Sequence, residues 1–199
     1  MTLGFIAAFD DTLSTVIISS NGIHPLLDAL TNEHEDHIKS ASVWSLGQIG
    51  RHSPVHALAV AEAGVLSKLV LNFLSSSSSE DLQTKCRKAL KAVIEHLIHL
   101  PALDSLLQGP SLPESTLKLV LAQLAKILPL DPDLRTKFVT SGGFEKLQQL
   151  PIGPESDLKD FLNSINNAYP FEIVQYYSPG YSEVLLQKLT TGKLSAVGI

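Results

Sequence analysis

Seven histidines and one cysteine are the residues of this 199-residue chain best suited to metal binding or nucleophilic chemistry. A structural zinc site needs about four ligands brought to one point by characteristic spacings. His52 and His56 stand four residues apart, but Pro54 between them interrupts any helix that would align them. His34 and His37 sit among Glu33, Glu35 and Asp36, and His96 and His99 lie three apart near Glu95. None of these matches H-E-x-x-H or a Cys/His zinc pattern, so the spacing predicts solvated helix ends and no metal or cofactor. Cys86 has Lys85, Arg87 and Lys88 beside it, charges that could favour a thiolate. No base with its own orienting group accompanies it, so a structural cysteine on a helix is expected. G-x-S-x-G, G-x-x-x-x-G-K-[ST] and G-x-G-x-x-G are all missing from the sequence. Thr191-Gly192-Lys193-Leu194 lacks the earlier glycine and the hydroxyl of a phosphate-binding loop. The chain is therefore not expected to be an enzyme.

Binding chemistry is better represented. Trp44 and Gln48 are one helical turn apart, and Arg51 lies on the same stripe. The indole offers an apolar wall and the amide can bond a peptide backbone, so these three are candidate groove contacts. Lys85, Arg87, Lys88 and Lys91 form a basic stretch, either a solvated helix face or a docking patch for an acidic partner. Tyr176, Tyr177, Pro179 and Tyr181 surround a turn. They are read as an intramolecular cap or, alternatively, as a contact surface, since tyrosine is enriched at interfaces.

The elements that must carry these residues repeat. Asn21-Gly22-Ile23-His24-Pro25-Leu26-Leu27 recurs 42 residues later as Ala63-Gly64-Val65-Leu66-Ser67-Lys68-Leu69, and more weakly as Ser141-Gly142-Gly143-Phe144-Glu145-Lys146-Leu147. A 42-residue period in an apolar, helix-forming chain predicts stacked helical repeats of armadillo type: a short helix, a Gly turn, a second helix and a long third one. The first cycle reads as Asp11 to Ser20 with Asp10 or Asp11 as N-cap, a left-handed turn at Asn21-Gly22, and a third helix from about Glu35 to His52. Ile38, Ala41, Ser42, Ser45, Leu46 and Ile49 mark the buried face of that third helix. The second cycle reads as Val55 to Ala63, Val65 to Leu74, and Asp81 to about His99, with Ser77 and Glu80 at capping-box spacing.

The third cycle is degenerate. Leu100-Pro101-Ala102-Leu103 stands where a Gly turn is expected, and Gly109-Pro110 and Pro113 break the chain before a long helix from Glu114 to Leu128. Gln123 to Pro129 echoes Gln48 to Pro54 at an offset of 75 residues. Asp131 to Thr140, Gly143 to Leu150 and Pro154 to Ala168 complete a final cycle. The predicted fold is thus all-α: an armadillo-repeat, right-handed superhelix over residues 1–168, its first repeat truncated, followed by a Tyr-rich capping segment over 169–199. That segment is read as Phe171 to Tyr176, a type II turn at Pro179-Gly180, a helix from Ser182 to Leu189, and an aperiodic end. The chain begins inside a third helix, which suggests a C-terminal part of something longer and an apolar edge at Leu3, Phe5, Ile6, Phe9 and Val16 through which copies could associate.

A net charge of −5 does not favour broad nucleic-acid binding. No apolar run reaches the roughly 18 residues of a membrane span. One cysteine allows no internal disulfide, which together with the lack of a signal-peptide pattern points to a reducing, intracellular setting.

Two resemblances add to this. Trp44 with Gln48 resembles one rung of the ladder by which import adaptors hold extended peptides. The ladder does not repeat, because Met1 and Phe5 precede it and Lys88 and Ala92 follow. More extensively, the chain resembles the armadillo-repeat proteins of the axonemal central apparatus. The resemblance is carried by Trp44-Ser45-Leu46-Gly47-Gln48-Ile49-Gly50-Arg51-His52, Ser78-Ser79-Glu80-Asp81-Leu82-Gln83, Phe138-Val139-Thr140-Ser141-Gly142-Gly143, and the tail block Tyr169-Pro170, Glu172-Ile173-Val174 and Tyr176 to Ser182. Ala7-Ala8-Phe9 departs from it where members often carry Ala-Ala-His. The resemblance implies a structural component of motile flagella, bound to a central-pair microtubule and other central-apparatus proteins, required for motility and without catalytic residues. The alternative expectation is a soluble armadillo adaptor of the catenin or import type.

Overall fold

The computed structural model describes residues 1–153 and 156–190. Fourteen α-helices appear among them and no strand: α1 (Thr2–Phe9), α2 (Asp11–Ser19), α3 (Ile23–Asn32), α4 (Asp36–Gly50), α5 (Pro54–Glu62), α6 (Val65–Leu74), α7 (Glu80–Ile94), α8 (Leu100–Gln108), α9 (Glu114–Ile127), α10 (Pro132–Thr140), α11 (Gly143–Gln148), α12 (Leu158–Asn166), α13 (Phe171–Tyr177) and α14 (Tyr181–Thr190). A 3₁₀ turn, Leu128–Leu130, follows α9.

The helices stack in rows, as a solenoid requires. Third helices pack in the order α1, α4, α7, α9, α12, and second helices in the order α3, α6, α8, α11. Of the first helices, α2 packs on α5. One core runs through the rows, from Ala7 and Ile17 through Val43, Leu46, Leu69, Leu90 and Leu121 to Phe144 and Ile165. Neighbouring third helices are also tied at their N-termini. Asp36 on α4 accepts from the Ser79 amide before α7 at 2.6 Å, and that bond holds its carboxyl below the usual range. Lys118 on α9 donates to Asp157 before α12 at 2.6 Å.

Local chemistry explains the boundaries. Asp10 caps α2, accepting from Leu13 N at 2.7 Å. The turns before α6 and α11 place Gly64 and Gly142 at φ 79° and 85°, the left-handed region that glycine enters at no steric cost. In the first cycle Asn21, not Gly22, takes this role, at φ 58°. Asparagine tolerates that region better than most side chains. The N-cap of α7 is Ser79, accepting from Leu82 N at 3.3 Å, while Ser77 bonds Ser75 instead of forming the expected capping box. The third helix of this repeat ends at Ile94 rather than near His99. There the chain turns sharply into α8, and Gln123 on α9 donates to Glu95 O at 2.8 Å. The final long helix starts at Leu158 and ends at Asn166, inside its expected bounds. Gly180, at φ 80°, occupies the left-handed position of the Pro179-Gly180 turn. The aperiodic end, residues 191–199, lies outside the described residues.

The degenerate cycle has a simple geometry. In the second repeat, residues 51–64 separate the third-helix row from the second-helix row and contain the nine-residue α5. In the last, residues 128–142 do so and contain the nine-residue α10. Between α7 and α8 only residues 95–99 are present. The third repeat therefore lacks its first helix. Two full periods would span about 84 residues, and the observed offset of 75 falls short by the length of that helix.

Candidate protein-binding groove

The third-helix row presents the expected binding residues, and packing brings two separate sequence signals together. Trp44 and Gln48 on α4 face Lys85 and Lys88 on α7 across a groove of about 320 Å³, floored by Gly47, Ala89 and Ala92. Trp44 is half-buried, its ring over Gly4 and edge-on to Phe5 with ring centroids 4.8 Å apart. Phe5 stands where the ladder pattern put the preceding rung, so the aromatic wall extends one helix toward the N-terminus. Lys85 is half-buried and bonds Asp81 one turn earlier at 2.8 Å, which holds that carboxyl below its usual range. Lys88 is exposed and, among the described residues, makes no ion pair within 4.0 Å. Arg87 and Lys91 do not line the groove. Lys91 lies 3.8 Å from Glu95 along the exposed side of α7. The groove can hold an apolar side chain against Trp44, bond a backbone through Gln48, and attract a carboxylate with Lys88.

Arg51 does different work. Its Nη2 donates to Ala8 O at 3.0 Å, and the neighbouring His52 Nε2 donates to Ala7 O at 2.6 Å. Both close carbonyls that the C-terminal end of α1 leaves without helical partners. His56 extends the clamp: Nε2 lies 3.1 Å from Asp11 O and 3.0 Å from Thr15 Oγ1, and Nδ1 lies 2.7 Å from Ser53 Oγ. A carbonyl only accepts, so Nε2 carries a proton, and in the neutral ring Nδ1 then accepts from the Ser53 hydroxyl. His56 is thus buried, at 6% exposure, and corrects the expectation of a solvated helix end. The segment Arg51-His52-Ser53-Pro54-Val55-His56 signals this joint only to a reader who already knows which backbone it faces. Among the described residues, no three His, Cys, Asp or Glu side chains gather into a possible metal site.

Cys86 is wholly buried in α7, and burial pushes its thiol up to about 12, against 9.0 for a free thiol. Desolvation of the thiolate is the main cause and the nearby Asp36 carboxylate adds to it, while the side chains of Arg87 and Lys88 are exposed. Two results should follow. The native chain should resist iodoacetamide at pH 8 and react once unfolded in denaturant. Stability should be unaffected by this thiol below about pH 9 and decline toward pH 12, because only the unfolded thiol loses its proton in that window. Rapid native-state alkylation would contradict the burial.

At the other end, Tyr169 and Tyr177 rest on the buried Phe144, with ring centroids 4.3 and 5.7 Å away. Burial raises the Tyr169 phenol, which donates to Arg135 O at 3.4 Å. Tyr176 is 62% exposed and meets Tyr177 and Tyr181 edge-on at 4.9 and 6.0 Å. Pro179 is exposed in the turn. At the opposite edge Phe5, Phe9 and Val16 are 62%, 81% and 55% exposed. Among the described residues no single helix is long and apolar enough to cross a membrane. The α5–α6 pair passes by composition only when joined, and it is bent by 75°.

No protein-family model matches the chain. Among solved structures it is similar to a designed armadillo repeat protein in complex with the peptide (KR)4, with 19% identity, TM-score 0.53, and coverage of 98% of this chain and 84% of that one. It is also similar to computationally designed armadillo repeat proteins for modular peptide recognition, with 19% identity, TM-score 0.56, and coverage of 96% and 83%. At such identity the likeness speaks for the fold alone: an all-α armadillo solenoid. Sperm-associated antigen 6 of mouse and of human are each 50% identical to it over 160 residues, 80% of this chain and 31% of theirs. The chain thus spans about a third of the length of these relatives. Half of the aligned residues being identical over four-fifths of an armadillo array, the chain belongs to the sperm-associated antigen 6 family of armadillo-repeat proteins.

Proposed function

We propose that this chain is a structural scaffold of the axonemal central pair, required for flagellar motility and acting by protein–protein contact without catalysis. Its partners are the central-pair microtubule and other central-apparatus proteins, and its setting is the axoneme within the cytoplasm. Residues 1–168 form the repeat array and the described residues that follow, 169–190, its cap, in which Tyr176, Tyr177, Pro179 and Tyr181 are the candidate capping or contact residues. Copies of the chain can also meet through the apolar edge at Phe5 and Phe9. The observation that carries this reading is the 50% identity to a protein whose name ties it to sperm. The tail block from Tyr169 to Ser182, which generic armadillo proteins do not share, supports it. Immuno-electron microscopy of the full-length protein in a flagellated cell should put label on the central pair. Label confined to cytosol or nucleus would favour a soluble peptide adaptor instead.

Within this reading the groove between α4 and α7 holds a partner segment: Trp44 packs an apolar side chain, Gln48 bonds its backbone and Lys88 attracts its charge. Arg51, Arg87 and Lys91 contribute at most from its margins. Exchanging Trp44 or Gln48 for alanine should weaken co-sedimentation with isolated central-pair microtubules about tenfold, a loss of ~1.4 kcal/mol. Gln48→Ala should leave the melting temperature nearly unchanged. Full retention of co-sedimentation by both variants would remove the groove from the interface.

A further inference from the structure

The turn between α6 and α7 is a run of serines, Ser75 to Ser79, followed by Glu80 and Asp81. The surroundings of these hydroxyls tell them apart. Ser79 caps α7 through Leu82 N, and its amide donates to Asp36 of the preceding repeat at 2.6 Å. Ser78 is half-buried, and Gln83 Nε2 holds its carbonyl at 3.2 Å and that of Ser75 at 2.8 Å. Ser77 is exposed, and its hydroxyl bonds the Ser75 hydroxyl at 2.8 Å rather than any group of α7. The two carboxylates differ as well. Asp81 is paired with Lys85 at 2.8 Å. Glu80 is exposed and, among the described residues, makes no ion pair within 4.0 Å.

We propose that Ser77 is a phosphorylation site for an acidophilic serine kinase, and that its phosphate loosens the tie between α4 and α7. Such a kinase reads a carboxylate three residues after the acceptor with basic side chains of its own. Glu80 stands at that position from Ser77, unpaired and exposed. Ser78 has Asp81 there, already neutralised by Lys85, while Ser75, Ser76 and Ser79 have Ser78, Ser79 and Leu82. A kinase holds its acceptor segment extended. The first turn of α7 can yield to this, because the Ser79 cap bond is long at 3.3 Å and helix ends open at little cost. In the transfer Ser77 Oγ bonds the γ-phosphorus of ATP, and the bond from that phosphorus to the β–γ bridging oxygen breaks. ADP leaves, and the hydroxyl proton passes to the kinase. The phosphate brings a charge of about −2. Two Cα steps separate Ser77 from Ser79, at most about 7.6 Å, so that charge lies within roughly a Debye length of the Asp36 carboxylate. Repulsion then weakens the bond by which Asp36 holds the start of α7. The site is separate from the Trp44 groove and stands whether or not the axonemal reading does.

The test incubates the full, folded chain with ATP and purified casein kinase 2 as the acidophilic probe, and maps phosphate by tandem mass spectrometry. Phosphate should appear at Ser77. Ser77→Ala should remove it, and Glu80→Lys should slow its incorporation about fivefold or more. Both positions are exposed, so both variants should keep the native circular dichroism. At low ionic strength Asp36→Ala should lower the melting temperature of the unmodified chain by about 3 °C, and that of the phosphorylated chain by less than half as much. No incorporation into the folded chain, phosphate at another serine of the run, or a rate indifferent to Glu80→Lys would overturn the proposal. An equal loss from Asp36→Ala in both forms would overturn it as well.

Discussion

Replacing Phe144 by alanine should lower the unfolding free energy by ~3–5 kcal/mol, the range for removing a fully buried aromatic side chain. Phe144 is 0% exposed and sits where three rings meet, with Phe138, Tyr169 and Tyr177 at 6.4, 4.3 and 5.7 Å. Truncation opens a cavity between α11 and the first turns after the array, and the two tyrosines lose their shared platform. Phe138 belongs to α10, which the Asp131 carboxylate caps, so collapse into the cavity is incomplete. Denaturant titration followed by circular dichroism measures the loss, and limited proteolysis should show earlier cleavage around Tyr176. A change below ~1 kcal/mol, with unaltered proteolysis, would mean that α13 does not seal the array through this residue.

The second large effect is expected at Gly47, where α4 and α7 approach most closely in the groove floor. A Cβ there would lie 3.0 Å from Ala89 Cβ and 3.1 Å from Ala89 Cα. The obstacle is partly backbone, which cannot rotate away. Gly47→Leu should therefore cost ~3 kcal/mol, at the upper end of overpacking, by forcing the two third helices apart. Gly47→Ala provides the sign test. In an exposed helix that exchange gains about 1 kcal/mol through propensity, whereas here the close contact should cancel or reverse the gain. Thermal unfolding of the three chains measures both. Equal or higher stability of Gly47→Leu would show that the α4–α7 interface has slack the packing does not suggest.

Much of the array was legible from local chemistry. The repeated Gly turn located α6 at Val65–Leu74 to the residue, and the spacing of Ser42, Ser45, Leu46 and Ile49 located the buried face of α4. Those are short-range rules: a left-handed turn position, a helical period, a proline in a first turn. Even the degenerate repeat was present as an offset of 75 residues, although its cause was not. Boundaries failed where several local partners competed. Ser79 rather than Ser77 caps α7, because Asp36 from the preceding repeat accepts from the Ser79 amide. Asn21 rather than Gly22 takes the left-handed position, and Gly22 is needed for space instead, since Ile17 Cγ2 and its carbonyl oxygen would meet a Cβ there at 2.6 and 2.9 Å.

By itself, then, the sequence determined the period, the helix types and the apolar faces, since each depends on residues within a turn or two of one another. Only the tertiary structure decided what crosses between repeats. It set Trp44 against Phe5 and opposite Lys88, turned Arg51 and His56 into clamps on the carbonyls of Ala8 and Asp11, and sank Cys86 beneath its basic neighbours. It also showed that the short connector at residues 95–99 costs the array one whole helix. These outcomes turn on how one repeat is rotated onto the next. That rotation is set by the summed packing of the helix rows, where Gly47 meets Ala89 and α8 bridges α6 and α11, and no local pattern encodes it.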